Sequence, residues 1–420
     1  MNAGRRRTGL WSLGLIVLVA LNLRPAITAV GPLLTDIRSG LGLSSATAGA
    51  LTTLPVLCFG VFGLLAPALR HRFRGEVLLV AGMALLTAGL LVRTVPSLVA
   101  LFGGTLLAGI AISVCNVTLP AVIKRDHPRH VTFVTALYST ALTVGAAIAS
   151  GIAVPIEDTT GGGWRLPLGL LAVPAVLAGL AWVPRALRAA GRPPAETGTP
   201  LPLWRDRLAW QVTAFMGLQS LLAYVVFGWL PTICQDRGLS EADAGLVLAV
   251  SSFVQAIGSL IVPAVDRRLR DQRPLVVAVG VLTAAGFAGV AWAPAGLIWG
   301  SAVVLGLGQG AGFALALAFI GLRAGDAQVA ARLSGMVQGG GYLIAATGPF
   351  AFGMLHDVSG AWNVPAAIAV ALAALEVLPG LAAGRARTIR HATPGPATPA
   401  TTGPQARPTR DRRPPTPPPP

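Results

Sequence analysis

The amino-acid sequence predicts an all-α membrane protein with twelve transmembrane helices arranged as two six-helix halves. Three observations lead to this fold class. The chain of 420 residues is 54% hydrophobic and only 11% charged, with a mean hydropathy of +0.69, whereas a soluble domain carries about 25% charged residues. Its basic residues collect in alternate segments between long apolar runs. Finally, one part of the sequence is repeated at a fixed offset.

The apolar runs divide the chain into twelve predicted spans. A helix crosses a hydrocarbon core of about 30 Å with about 20 apolar residues, and each run between charged clusters has about that length. The predicted spans are 10–31, 46–68, 77–95, 98–121, 132–154, 166–184, 208–231, 243–264, 274–293, 297–320, 333–355 and 362–383. A basic segment before the first run is also typical of a secretory signal peptide, but the charge distribution of the whole chain favours a retained first span.

Basic residues mark the cytoplasmic side of the predicted bundle. With the N-terminus inside, the inner segments and the termini contain 27 of the 32 Lys and Arg residues. Only Arg38, Arg93 (at the outer end of span 3), Arg165 and Arg237 fall on the outer side, and Arg24 lies well within a span. This asymmetry follows the positive-inside rule, so the net charge of +16 does not indicate nucleic acid. We expect a multi-pass protein of a bacterial-type plasma (inner) membrane with both termini in the cytoplasm.

A repeat at an offset of 196 residues divides the chain in two. Residues 43–74 align without a gap on residues 239–270, with identity at 10 of 32 positions, and the match includes the loops at both ends of one span. We therefore expect an N-terminal six-helix half over 1–184, a cytoplasmic linker over 185–207, a C-terminal six-helix half over 208–384, and a tail over 385–420. The Pro- and Arg-rich tail is expected to be disordered and cytoplasmic.

The basic loops after spans 2 and 8 resemble the cytoplasmic signature of the major facilitator superfamily. The first copy departs from the family pattern, with His71 about where an acid is expected and Pro67 in place of a glycine. The expected gating residues are Arg70, Arg72, Arg74, Asp266, Arg267 and Arg268. For the first copy, simple anchoring by positive charge is an equally weighted alternative.

Further motifs resemble the cyanate/2-nitroimidazole transporter family within that superfamily. They are Asn22-Leu23-Arg24-Pro25 in span 1, Asn116 with Pro120 and Lys124 around span 4, Gln219 and Trp229-Leu230-Pro231 in span 7, and Gly341 to Phe350 followed by His356-Asp357 and Trp362. Their order along residues 10–384 makes the set specific. The resemblance implies two halves in parallel repeat with a solute site between them near the bilayer midplane, and small polar or anionic solutes.

The resemblance also implies that spans 3, 6, 9 and 12 lie outside while the other spans line a central cavity. Polar residues are scarce on those four spans and frequent on the others. The candidate substrate-binding residues are Asn22, Arg24, Thr28, Asn116, Gln219, Tyr224, Gln255, Gln309, Gln338 and Tyr342. Amides in membrane helices also serve as packing contacts, which is the alternative role for these side chains.

Arg24 is the strongest candidate in this set. An arginine at the centre of a membrane helix costs about 2.5–3.5 kcal/mol on insertion scales, so it needs a partner or a wet cavity. No acid is predicted nearby, and an anion or an electronegative ring would be a suitable partner. Pro25, which follows it, removes a backbone donor and loosens the helix. The stretch around Arg24 is therefore predicted to belong to a path for a polar solute.

Energy coupling is less well marked in the sequence. Proton-driven carriers need a titratable group inside the membrane, and the only acid well inside a span is Glu376 in span 12. We expect this residue at the periphery, with its carboxyl group turned toward Arg385 or Arg387. The coupling partner is expected to be a proton or another ion, and uniport is left open.

The sequence thus predicts a secondary active transporter that moves a small polar or anionic solute by alternating access. We expect a monomer in the lipid bilayer with no cofactor, no metal and no catalytic residues, because the three cysteines lack metal-ligand spacing. One alternative is a proton-coupled multidrug exporter, which the apolar side chains Phe59, Phe62, Phe227 and Phe313 would suit. Arg24 disfavours lipophilic cations because like charges repel. A membrane-embedded enzyme would need clustered His, Cys or acidic residues within the bilayer.

Overall fold

The computed structural model of the protein describes residues 2–128, 130–189, 203–266, 268–325 and 327–389. These ranges contain sixteen α-helices and one 3-10 turn. The N-terminal half comprises α1 (Asn2–Leu23), α2 (Pro25–Thr28), α3 (Leu34–Leu41), α4 (Ser45–Arg72), α5 (Gly75–Val92), α6 (Leu98–Asp126), α7 (Val131–Thr160), α8 (Arg165–Leu170) and α9 (Ala172–Ala189). The C-terminal half comprises α10 (Arg207–Asp236), α11 (Glu241–Asp266), α12 (Arg273–Trp292), α13 (Ile298–Arg323), α14 (Ala327–Ser359), α15 (Asn363–Leu375) and α16 (Val377–Ala383), with a 3-10 turn at Ala295–Leu297.

The predicted all-α membrane fold is confirmed. Within the described ranges, 11 helical segments are long and apolar enough to cross a membrane. The remaining predicted span, 333–355, lies in α14, which has 33 residues and is therefore about 50 Å long. This helix packs between α4 of the N-terminal half and α10 of its own half. Its greater polarity is consistent with a position inside the bundle rather than against lipid.

Three of the predicted spans are interrupted helices. Span 1 breaks at Arg24, because Pro25 has no amide hydrogen and α2 ends after one turn with a short-range bond of 3.3 Å from the Val30 amide to the Ile27 carbonyl. Span 6 breaks between α8 and α9, and span 12 breaks at Glu376 between α15 and α16. Each break leaves backbone carbonyl groups that need other hydrogen-bond donors.

The two halves meet along two pairs of helices, α4 with α14 and α7 with α11. Small residues allow the close approach that membrane helices need for tight packing. A side chain at Gly49 would overlap the backbone of Pro349 and Phe350, and one at Gly245 would press on the Ser150 carbonyl. These contacts lie toward the outer ends of the helices.

The prediction that Glu376 lies at the periphery is wrong. Its side chain is 0% exposed, and neither carboxylate oxygen has a hydrogen-bond partner in the described part of the chain. One helical turn further on, Gly380 packs so tightly against Phe215 and Val276 that it leaves no room for a side chain. Helix phase therefore turns Glu376 toward α10 and α12, and not toward Arg385. An entirely apolar helix has no polar face from which this orientation could be predicted.

Two arginines assigned to the outer side have structural partners. Arg93 is 1% exposed, and it donates from Nη1 to the Ala26 carbonyl at 2.7 Å and from Nε to Thr105 Oγ1 at 3.0 Å. The Ala26 carbonyl is released where α2 ends, because the Val30 amide bonds to Ile27 instead. Arg237 donates to the carbonyl groups of Ala291 and Ala293 at the end of α12. Arg93 and Arg237 thus lie on the outer side because each binds backbone carbonyl groups there.

The proposed division of the chain remains a prediction at its boundaries. Helix α9 continues to Ala189, past the predicted start of the linker at residue 185. Residues 190–202 of the linker and 390–420 of the tail lie outside the described residues.

Candidate functional site

Arg24 lies at the helix break in the middle of the first span and is partly buried. The Cζ atom of its guanidinium group is 5.5 Å from the ring centre of Phe227 and 5.5 Å from that of Phe313. Both rings belong to the C-terminal half, so a charge from one half lies between aromatic side chains of the other. Such contacts partly replace the water that a cation loses. Among the described residues, no carboxylate forms an ion pair with Arg24.

The three tyrosines of the chain gather around this charge. Tyr138, Tyr224 and Tyr342 all lie within electrostatic reach of the Arg24 guanidinium. Phe59 joins them, with its ring centre 5.5 Å from that of Tyr342 and 6.1 Å from that of Tyr224. The Tyr224 ring in turn packs edge-on against Phe227 at 5.8 Å. The charge is therefore surrounded by aromatic faces and phenolic hydroxyl groups.

Asn116 joins the group through Tyr138, whose hydroxyl donates to Asn116 Oδ1 at 2.9 Å. We call the resulting set of eight side chains the central cluster: Arg24, Phe59, Asn116, Tyr138, Tyr224, Phe227, Phe313 and Tyr342. Four of the ten candidate substrate-binding residues belong to it. Sequence reasoning missed Tyr138, although the rarity of tyrosine in the chain was a usable signal.

The other two candidates in the N-terminal half are used within that half. Asn22 Nδ2 donates to the Leu18 carbonyl of its own helix at 2.7 Å. Thr28 Oγ1 lies 3.2 Å from the Ala146 carbonyl of α7 and is 1% exposed. Both side chains thus satisfy backbone carbonyl groups near the helix break.

The four candidate glutamines of the C-terminal half lie on four different helices, α10, α11, α13 and α14. Gln219 Nε2 donates to the Gln309 carbonyl at 3.1 Å and joins α10 to α13. Gln338 Nε2 donates to Ser334 Oγ at 2.8 Å, one turn away on α14. Gln255 is buried, and its Nε2 has no hydrogen-bond partner in the described chain. Gln309 Nε2 likewise has no partner there, so Gln255 and Gln309 are the two with an amide nitrogen left available.

The predicted cytoplasmic gating residues are only partly described. Arg267 and the side chain of Arg70 lie outside the described residues, Arg72 and Arg268 are exposed, and Arg74 directly precedes α5. Asp266 Oδ1 accepts a hydrogen bond from Gln272 Nε2 at 3.0 Å. The gating role of this set stays a prediction.

A contact between the halves at the outer end was not predicted. Asp357 of α14 accepts hydrogen bonds from the Ser45 amide at 3.0 Å and from the Ala46 amide at 2.7 Å, and Ser45 Oγ is 3.1 Å from His356 Nδ1. The first amides of a helix lack intrahelical partners, and here the other half supplies an acceptor for α4. We call Ser45, Ala46, His356 and Asp357 the outer latch.

Electrostatics favour the charged form of the latch carboxylate. Partial burial opposes ionisation, but the hydrogen bonds from Ser45 and Ala46 outweigh it and lower the pKa of Asp357, which lies beyond the predicted span 333–355. Two more bonds join the halves nearby, from Thr35 to Gln235 at 2.6 Å and from the Phe350 amide to Thr53 at 3.1 Å. These hydrogen bonds between the halves all lie in the outer part of the molecule.

The fold and this arrangement can be compared with known proteins. The family model of the Major Facilitator Superfamily matches residues 16–331. The chain belongs to this superfamily. It is 40% identical over 378 residues to a 2-nitroimidazole transporter of Escherichia coli (strain K12), covering 89% of this chain and 95% of the relative. It is 32% identical over 351 residues to the cyanate transport protein CynX of the same organism, covering 82% and 90%. These relatives confirm the predicted family, so the chain is a multi-pass membrane transporter and not an enzyme.

Similarity to solved structures supports the fold of the chain and nothing beyond it. A D-xylose–proton symporter superposes with a TM-score of 0.71 at 13% identity, covering 88% of this chain and 96% of that chain. A bacterial homologue of the human lysosomal transporter Spinster, in an inward-facing and occupied conformation, superposes with a TM-score of 0.70 at 15% identity, covering 91% and 97%.

Proposed function

We propose that the protein is a secondary active transporter for a small polar or anionic solute of the cyanate or nitroimidazole type. The observation that carries this proposal is Arg24, which lies between Phe227 and Phe313 without a carboxylate partner among the described residues. A guanidinium group binds planar oxyanions through two parallel N–H donors. The names of the 2-nitroimidazole and cyanate relatives are in keeping with this chemistry.

The aromatic side chains of the central cluster add a preference for planar solutes. Tyr342 and Phe59 can stack on a flat ring, because offset and edge-on aromatic pairs are favourable. The hydroxyl group of Tyr224 can donate to nitro or carboxylate oxygens. Asn116, held by Tyr138, supplies an amide. The proposed solute is therefore small, flat and electron-rich at one edge.

Transport would follow alternating access between the two halves. The outer latch and the bonds around it hold the outer side closed, which supports an inward-facing identity for this conformer. Opening the latch while closing the cytoplasmic ends would expose Arg24 to the outside. We place the protein as a monomer in a bacterial-type plasma membrane with cytoplasmic termini, on the basis of the charge asymmetry.

A multidrug exporter is the second candidate, because aromatic rings of Phe59, Phe227 and Phe313 could also accept lipophilic compounds. The unpaired positive charge of Arg24 argues against lipophilic cations, since desolvated like charges repel strongly. A lipophilic cation such as ethidium therefore belongs in the same binding test as the small solutes.

The experiment is a thermal-shift screen of the purified protein with cyanate, nitrate, 2-nitroimidazole and ethidium. A ligand at a hundred times its Kd stabilises the folded protein by about 2.7 kcal/mol, and we expect such an effect with one of the first three solutes. Arg24→Ala should abolish both this shift and uptake into proteoliposomes. Arg165→Ala is the matched control, because Arg165 also packs over an aromatic ring, that of Trp164 at 4.3 Å, but lies outside the central cluster. Normal solute flux in Arg24→Ala would contradict the proposal.

A further inference from the structure

Glu376 is a fully buried acid that the solute site does not use. It lies at the break between α15 and α16, with 0% of its surface exposed. Neither of its carboxylate oxygens finds a donor in the described part of the chain. The other carboxyl group buried to a similar degree, Glu76, is 2.7 Å from Arg125. The lack of a donor makes Glu376 different from a structural ion-pair partner.

The surroundings of Glu376 are apolar. Helices α15 and α16 pack against α10, α12 and α14. The charged residues on the described parts of those helices lie at the helix ends, and they are Arg207, Asp236, Arg273, Arg332, His356 and Asp357. Their remaining titratable side chains are Cys234, in the last turn of α10, and Tyr224 and Tyr342, which pack against Phe59 in the central cluster. Among the described residues, the carboxyl group of Glu376 therefore has no charged neighbour to hold it ionised.

The protonation state follows from this environment. An isolated ion taken out of water into a protein interior loses several kcal/mol of solvation, and a carboxyl group avoids this loss by binding a proton. Glu376 is thus neutral in the conformation with the outer side closed. Ionisation requires that water or a donor reach it, which requires α15 and α16 to move relative to α10 and α12.

We propose that Glu376 is the proton-binding site that couples transport to a proton gradient. It takes up one proton to become a neutral carboxylic acid and releases the same proton when it becomes solvated. In this conformation the proton is released on the cytoplasmic side, because α15, the segment between Glu376 and the outer surface, has only apolar residues after Asn363. Coupling then requires that the proton is taken up from the outer side when that side is open. Toward the cytoplasm, Ala383 is seven residues away, or about 10 Å along a helix. Its carbonyl accepts a hydrogen bond from Arg323 Nε at 2.6 Å, in a cluster that also contains Gln272 and Asp266.

The flux assay for Glu376 uses 2-nitroimidazole as the transported probe. Only this assay makes the inference rest on the proposed function. Proteoliposomes with the full chain receive a gradient of one pH unit, which can drive about tenfold accumulation for each proton coupled. We expect Glu376→Gln, which mimics the protonated acid, to lose this accumulation while keeping exchange of the probe at equal pH. Glu157→Gln, at the outer end of α7, is the matched control and should behave like the wild type. Gradient-driven accumulation by Glu376→Gln at the wild-type level would overturn the proposal, as would a wild type that ignores the gradient.

A second measurement is independent of any solute. Infrared difference spectra of wild type minus Glu376→Gln should show the carbonyl stretch of a protonated carboxyl group at neutral pH, and this band should disappear at alkaline pH. A band that never appears, or that persists unchanged at every pH, would overturn the proposal even if the variant folds poorly. If the wild type does not transport 2-nitroimidazole, the proposed solute class is wrong, and the infrared titration alone decides about Glu376.

Discussion

Within the part of the chain that the structure describes, each half of the molecule buries one carboxyl group, and the two halves do so in opposite ways. In the N-terminal half, Glu76 begins α5, is 4% exposed, and lies 2.7 Å from Arg125 and 3.9 Å from Arg185. In the C-terminal half, Glu376 has no donor within the described chain. A buried carboxylate with two guanidinium neighbours stays ionised, whereas one without neighbours binds a proton. The first acid holds helices together, and the second is free to change its charge.

In the internal repeat, the counterpart of Glu76 is a neutral amide. At the offset of 196 residues, Glu76 corresponds to Gln272. Gln272 accepts a hydrogen bond from Arg323 of α13, and Arg323 also donates to the Ala383 carbonyl. Both halves therefore join three helices at their cytoplasmic ends through an arginine. The N-terminal half uses acidic partners, including Asp126 with Arg185, while the C-terminal half uses an amide and backbone carbonyl groups.

The largest effect should come from removing the acidic partner. Glu76→Ala leaves Arg125 and Arg185 without one carboxylate, and breaking a buried pair costs about 3–5 kcal/mol. Because Arg125 remains 46% exposed, we expect a loss of about 2–3 kcal/mol in the free energy of unfolding. The matched change in the other half, Gln272→Ala, should cost about 1 kcal/mol, since a neutral hydrogen bond is worth that much.

Denaturant unfolding of both variants in detergent tests this difference between the halves. Equal losses in the two variants would show that the repeat distributes stability evenly in spite of its different charges. A larger loss in Gln272→Ala would mean that Arg323 depends on the amide more than on the carbonyl groups of Ala383 and Gly384.

The second effect concerns the break in the first span, which the seventh span lacks. Arg24 corresponds to Ser220 in the unbroken helix α10, and Arg93 corresponds to Gly289. The half with the broken helix thus carries the arginine that binds the released Ala26 carbonyl. Arg93→Met leaves this carbonyl without its donor, at a cost of about 1–3 kcal/mol.

The Arg93 variant should also lower solute affinity, because Arg24 lies two residues from the unpaired carbonyl. Thr105→Ala is the control, since it removes only the partner of Arg93 Nε and should leave affinity near the wild-type level. Thermal stability and the uptake KM separate the two roles of Arg93. A fall in stability with an unchanged KM would restrict Arg93 to a packing role.

Much of the fold could be predicted from the sequence because membrane insertion is encoded locally. Runs of apolar residues and the side on which arginines lie are visible without any knowledge of packing. The repeat between 43–74 and 239–270 then supplied the division into halves. The motif around Arg24 was recognisable for the same reason, since charge and proline are rare inside a membrane helix.

The remaining features depend on which face of a helix packs against which neighbour. An apolar helix has no amphipathic period, so the inward orientation of Glu376 and the burial of Arg93 could not be predicted. Gln219 and Gln309 share a hydrogen bond across 90 residues of sequence, and the outer latch joins residues more than 300 positions apart. Such pairs follow from the tertiary arrangement and have no local sequence signal.

The third effect concerns the outer ends of the two repeat-related helices α4 and α11. The first turn of α11 is bonded within its own half, where the Asp243 amide donates to Ser240 Oγ at 3.1 Å. The first turn of α4 depends on Asp357, which corresponds to Gly161 in the N-terminal half. Asp357→Ala should therefore weaken the closed outer side by about 1 kcal/mol, the usual value of a helix cap.

Hydrogen–deuterium exchange of the first turn of α4 measures this change. We expect faster exchange at Ser45 and Ala46 in Asp357→Ala. Ser240→Ala removes a bond of the same kind inside one half, so its effect should stay local to α11. Unchanged protection of α4 in the Asp357 variant would exclude the latch as a contact that holds the outer side closed.

The smallest effect is a pH dependence that only one half can produce, because His356 corresponds to Thr160. Burial lowers the pKa of His356 from its ordinary 6.5 and Arg38 acts in the same direction, while Asp236 and Asp357 oppose them. Opening the outer side would solvate the ring and restore the ordinary pKa, so the open form binds a proton more readily than the closed form. Acidification below about pH 6.5 therefore favours opening, by less than about 1 kcal/mol because the ring is partly solvated even when closed.

Spin labels at residues 44 and 358, in a background without the native cysteines, should report a larger open population at about pH 5.5 than at about pH 7.5. His356→Gln should remove this response, and a response that survives in that variant would assign it to other groups, such as the carboxylates near the outer end of α7.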